Sequence, residues 1–146
     1  MTKSRTALRR GIDNSPTQEH IENMMELAAN IFQPVREYFG VPIYISSGYR
    51  SEALNKAIGG SKTSQHSKGQ AMDIDRDGHS QPDNVDIFNF IRNYLNFDQL
   101  IWEFGDTANP DWVHVSYNTN GSQRNQILRA YKKPNGKTAY AKFETI

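Results

Sequence analysis

Two histidines and one aspartate carry the spacing that chemistry would need. His66 and Asp73 are separated by six residues, and Gly69 between them lets the chain turn so that a loop imidazole and a strand carboxylate converge. His114 lies in Trp112-Val-His-Val-Ser-Tyr117, where alternation puts Trp112, His114 and Ser116 on one sheet face. An imidazole in an otherwise apolar strand needs a polar partner. Two imidazoles and one carboxylate form a zinc donor set that leaves a fourth position to water, whose pKa the metal lowers towards ~7. The plain alternative keeps His66 as a loop residue and His114 as a hydrogen-bonded core residue. There is no cysteine, so disulfides and thiolate metal sites are excluded. The remaining histidines, His20 on a helix and His79 in a Gly/Ser/Pro loop, read as solvated side chains. Asp75 shares a strand face with Asp73 and reads as an ion-pair residue or one that orients a ligand.

These residues require elements to hold them. Ser15-Pro16-Thr17-Gln18 has the form of a helix start, with Ser15 as cap and Gln18 closing a capping box. Ile21, Met24, Met25, Ala28, Ile31, Val35, Tyr38 and Phe39 then recur at three- and four-residue spacing, which predicts a helix to Gly40 with that stripe in the core. Pro34 removes a backbone donor inside it and predicts a kink near Phe32 and Gln33. Val41–Ser46 reads as a strand, Ser51–Ile58 as a short capped helix, and Gln70–Asp75 as a strand with an acidic face opposite Met72 and Ile74. Asp83 or Asn84 caps a helix carrying Val85, Phe88, Ile91 and Leu95. Asp98–Glu103, Trp112–Tyr117 and Gln126–Tyr131 follow as strands expected to pair antiparallel, the last two joined by a turn at Asn118–Gly121. The tail from Lys132 is too polar to assign. Helices early and strands late predict an α+β fold with helices packed on one side of a mostly antiparallel sheet.

A chain of 146 residues fits a single domain, and 36% hydrophobic with 11% aromatic residues supply a core. Seventeen Lys+Arg against sixteen Asp+Glu leave a net charge of +1, which gives nucleic-acid binding through the basic N-terminal segment or Arg124–Lys133 little support. No run approaches the roughly 18 apolar residues of a membrane span. The basic N-terminus is followed by the polar stretch Gly11–Pro16 where a signal peptide would be apolar, so the expectation is cytoplasmic synthesis without a signal peptide.

Three motifs in order, Ser47-Gly-Tyr-Arg-Ser51, Ser64-Gln-His-Ser-Lys-Gly-Gln-Ala-Met-Asp-Ile74 and Trp112-Val-His-Val-Ser116, resemble those of the M15 zinc D-Ala-D-Ala carboxypeptidases and related phage endolysins. The resemblance spans roughly residues 10 to 117. It implies the hedgehog/DD-peptidase fold, zinc-ligand roles for His66, Asp73 and His114, and a substrate-binding or polarising role for Arg50. A guanidinium beside the metal can hold a peptide carboxylate or stabilise an oxyanion. The family often carries its general base three residues before the last histidine, which here is Asp111. Strict alternation sends Asp111 to the face opposite His114, so it reaches the site only if the strand starts at Trp112. Glu103, at the end of the preceding strand, is the other candidate base.

The expectation is therefore a monomeric, single-domain zinc peptidase over residues 1–146. It would cut peptidoglycan stem peptides as a DD-carboxypeptidase or endolysin-type endopeptidase, and phage-mediated release would bring it to the cell wall. The alternative is a hedgehog-like binding module that holds zinc without catalysis, which would require that neither Asp111 nor Glu103 face the metal.

Overall fold

The structure is a computed structural model that describes residues 1–144. A first helix, α1 (Arg5–Arg10), lies in the basic segment that the sequence pattern left unassigned, and Ser4 caps it by accepting from the Ala7 amide. The long helix expected from Pro16 starts later. Thr17 caps α2 (Gln18–Leu27), and the box is closed by His20, whose amide donates to the Thr17 hydroxyl while its Nδ1 accepts from the Thr17 amide. His20 is thus a capping residue and not a free solvated side chain.

A wide π-helical turn, Ala28–Phe32, links α2 to α3 (Gln33–Phe39). It falls where Pro34 cannot donate, which is the distortion the sequence predicts. The extra residue in that turn shifts the helix phase by about 100°. Leu27, Ile31 and Val35, spaced by four, are the buried residues, while Met25 is 66% exposed and Ile21 and Tyr38 also face solvent. The uniform stripe expected from Ile21 to Phe39 is corrected accordingly.

After β1 (Ile45–Ser47) come α4 (Glu52–Ala57), a 3₁₀ turn (Gln65–Lys68), β2 (Ala71–Ile74) and α5 (Asn84–Tyr94), followed by β3 (Gln99–Glu103), β4 (Trp112–Ser116), β5 (Gln126–Lys132) and β6 (Thr138–Lys142). The first strand is shorter than the Val41–Ser46 run because Pro42 brings no ladder donor. One sheet has the order β1-β2-β4-β3-β5-β6. All neighbours are antiparallel except β3 and β5, which run parallel. The turn at Asn118–Gly121 therefore does not make the expected hairpin. Both edges of β4 are already taken by β2 and β3, so β5 crosses to the far edge of β3. The unassigned tail supplies β6, which pairs with β5 over five registered positions.

Alternation then divides the sheet. Met72, Ile74, Leu100, Trp102, Val113 and Val115 project to one face and pack with Leu27, Ile31, Val35, Ile87, Phe88 and Ile91 from the helices. The opposite face carries Asp73, Ile101, Glu103, Trp112, His114, Leu128 and Tyr140, all of which line one cleft. The α+β arrangement with helices covering one side of the sheet is as the sequence predicts.

Candidate metal centre

Register brings two of the three candidate ligands together. Asp73 on β2 is the direct partner of His114 on β4, and His114 Nδ1 lies 3.0 Å from Asp73 Oδ1. The third comes from the 3₁₀ turn, which Ser64 opens by accepting from the His66 amide at 3.2 Å. Gly69 ends that turn at φ +74°, and a Cβ there would meet the His20 carbonyl at 2.5 Å, so only glycine reverses the chain this tightly against α2. His66 is 2% exposed, and its Nε2 lies 3.3 Å from the same Asp73 oxygen. The three ligand atoms all sit within 4.8 Å of one another.

The loop that holds Arg50 also orients His66. The Gly48 carbonyl accepts a hydrogen bond from His66 Nδ1 at 2.7 Å, and the Arg50 amide donates to the His66 carbonyl at 3.1 Å. Gly48 is needed for close approach and not, as its place in a turn suggests, for a left-handed backbone. A Cβ would meet the Met1 carbonyl oxygen at 2.4 Å, and that same oxygen accepts from the Tyr49 amide.

The donor set fits a divalent metal. A carbonyl can only accept, so His66 Nδ1 carries the hydrogen and Nε2 of the neutral ring presents a lone pair. Burial, reinforced by His114 and Arg50, favours that neutral ring over the pull of Asp73. Burial alone would raise the Asp73 carboxyl, but the hydrogen bond from His114, with the neighbouring His66 ring acting the same way, outweighs it and holds the group well below the usual carboxylate range. A lone pair thus faces a carboxylate across 3.3 Å, an arrangement that a cation between them turns from repulsive to attractive. Donors ~2.0–2.1 Å from a tetrahedral ion stand about 3.3–3.4 Å apart, close to the spacing seen here.

Glu103 is 7% exposed and lines the same cleft. Burial, with Asp73 adding to it and His114 opposing, pushes its carboxyl up to about 7. Asp111 is exposed and does not belong to the cleft lining; its amide donates to the Glu103 carbonyl and its own carbonyl accepts from Asn84. The structure therefore brings Glu103, and not Asp111, to the cluster. Arg50 lines the cleft as well, and its buried Nε has no hydrogen-bond partner among the described residues. Burial lowers the pKa of its guanidinium, with Asp73 pulling the other way. Asp75 is engaged elsewhere, accepting from Asn84 Nδ2 and the Asp77 amide, and His79 stacks on Tyr44 at 4.2 Å.

The sequence profile of the peptidase M15 family matches residues 1–116. The chain belongs to the M15 peptidase family. Comparison with curated proteins returns no match. M15 peptidases are metallopeptidases, and among the described residues His66, Asp73 and His114 form the group that could hold a metal. The matched segment ends at Ser116, the last residue of β4, so β5 and β6 lie beyond it.

Sequence reasoning missed two contributors to the site. Asp98 accepts from Gln65 Nε2 at 3.0 Å, from the Arg124 amide and Nε at 3.0 Å, and from Arg124 Nη2 at 2.8 Å, tying the histidine-bearing turn to the loop before β5. Only the charges themselves hinted at this pair. Tyr140, in the unassigned tail, lines the cleft. No helix among the described residues is long and apolar enough to cross a membrane.

Proposed function

We propose that this M15 peptidase is a zinc-dependent, single-domain hydrolase of peptide bonds in peptidoglycan stem peptides. The observation that carries the reading is the convergence of His66, Asp73 and His114 on one point in a cleft that also contains the buried carboxyl of Glu103. A donor set of two imidazoles and a carboxylate, without thiolate, suits zinc and leaves room for water. The cleft, about 970 Å³, is of a size that takes a short peptide. Arg50, Lys68, Arg124 and Lys132 on its walls complement the carboxylates of an acidic peptide.

Bound zinc would supply Lewis acidity, lowering the pKa of a water and polarising the scissile carbonyl. Glu103 takes the proton as water attacks the carbonyl carbon, and returns it to the amine nitrogen as the C–N bond breaks. Its raised pKa suits both halves of that transfer. The Arg50 guanidinium donates to the carbonyl oxygen as negative charge develops, or holds a substrate carboxylate. The binding-module alternative needs a cleft without an acid near the metal ligands, and Glu103 argues against it.

Mass analysis of the products released from purified peptidoglycan, with and without a chelator, tests the proposal. Chelator-sensitive cleavage of stem peptides, restored by zinc, is expected. A zinc-loaded protein that leaves every muropeptide intact would overturn it.

A further inference from the structure

The face of the sheet that carries the metal ligands does not stop at β3. Glu103 pairs with Ala130 on β5, and Ala130 pairs with Tyr140 on β6. Directly registered partners project to the same face, so the Tyr140 side chain stands two strands from Glu103 on the side of the ligands. It lines the cleft together with Arg50, Asp73, Glu103 and His114. Glu103, Asp73 and Arg50 are near enough for their charges to act on its phenol. Five registered pairs hold β6 to β5, so the ring is presented from a strand and not from a loose tail. The strand lies outside residues 1–116 and is thus a feature of this chain beyond the family match.

We propose that Tyr140 is a further catalytic residue, whose phenolic hydroxyl donates a hydrogen bond to the carbonyl oxygen of the bound peptide as charge builds there, from the side of the cleft opposite the 3₁₀ turn. The proposal rests on the peptidase reading above. The O–H bond stays intact throughout, because the proton released by the attacking water goes to Glu103. Burial, together with the carboxylates of Glu103 and Asp73, pushes the phenol pKa up against Arg50, so Tyr140 still carries its proton as Glu103 ionises. The residue is 55% exposed, which leaves it accessible to a substrate entering from solvent. Arg50 and Tyr140 then grip the oxygen as two donors from separate elements, a preorganised pair of the kind that stabilises developing charge.

The test is Tyr140→Phe in the zinc-loaded full chain, with Tyr131→Phe, on the opposite face of β5, as the control. Tyr140→Phe is expected to lower kcat on muropeptides by about 100-fold with KM nearly unchanged, the scale for loss of one oxyanion donor. Zinc stoichiometry and thermal midpoint should match wild type, and Tyr131→Phe should retain full activity. A phosphinate dipeptide analogue, titrated calorimetrically, gives a readout independent of turnover, and Tyr140→Phe should bind it at least about 10-fold more weakly. Unchanged kcat, or unchanged phosphinate affinity, overturns the role of Tyr140. If wild type cleaves no muropeptide yet binds the phosphinate in a Tyr140-dependent way, the contact stands and the peptidase reading falls. If wild type neither cleaves nor binds, both fall.

Discussion

At the scale of single residues, the two acids proposed as base separate by environment. Glu103 is buried in the cleft and Asp111 is exposed outside its lining. Glu103→Gln keeps the shape but cannot take a proton, so it should retain zinc and a normal thermal midpoint while losing about 100-fold or more in kcat. Asp111→Asn should be mild, and steady-state kinetics on muropeptide fragments distinguish the two. Asp98 shows the same principle applied to stability. Hydrogen bonds from the Arg124 side chain, outweighing burial, lower its carboxyl pKa in the folded protein. It therefore contributes stability that is complete above its unfolded value of about 3.9 and is lost as pH falls towards the folded value. Urea unfolding at several pH values should show this acid-side loss in wild type and a flatter profile in Asp98→Asn. At neutral pH the variant should be weaker by about 2 kcal/mol, the scale for charge-assisted bonds made by a buried group.

At the scale of elements, the 3₁₀ turn and the loop after β1 act as one unit. The Gly48 carbonyl holds His66 Nδ1, and the Met1 backbone packs against the Gly48 Cα. Gly48→Ala must push that segment away or displace the carbonyl, because the added carbon would lie 2.4 Å from the Met1 oxygen. We expect a lower thermal midpoint together with several-fold weaker zinc binding, measured by differential scanning calorimetry and chelator competition. A loss of stability with unchanged zinc affinity would show that the loop does not orient His66. The helices give the complementary lesson. Spacing announced a helix from about Pro16 to Gly40 and a distortion before Pro34, both local consequences of the chain. Which residues face inward was decided by what the helix packs against, which left Met25 outside and put Leu27 at 0% exposure.

At the scale of the molecule, β5 and β6 complete the sheet that the family-matched segment begins. β3 is paired with β5 across five positions, and Phe143, just beyond β6, packs on Phe88 and Trp102 at ring separations of 5.0 and 5.6 Å. A chain truncated after Ser116 would bare the β3 edge and one side of that aromatic cluster. It should be insoluble or lack a cooperative unfolding transition, as circular dichroism on heating would record. The sequence by itself determined the ligand triad as candidates, the early-helix and late-strand order, and the alternation that sends Asp73 and His114 to one face and Met72 and Val113 to the other. These follow from residue type and periods of 3.6 and 2, which are properties of neighbours along the chain. Tertiary structure alone decided the strand order, the parallel β3–β5 pair, the burial of Glu103 and the arrival of Tyr140 in the same cleft. A strand chooses its partner by which edges are already occupied, and a carboxyl acquires its pKa from what packs over it. Both are set by residues distant in sequence, so no local pattern could have carried them.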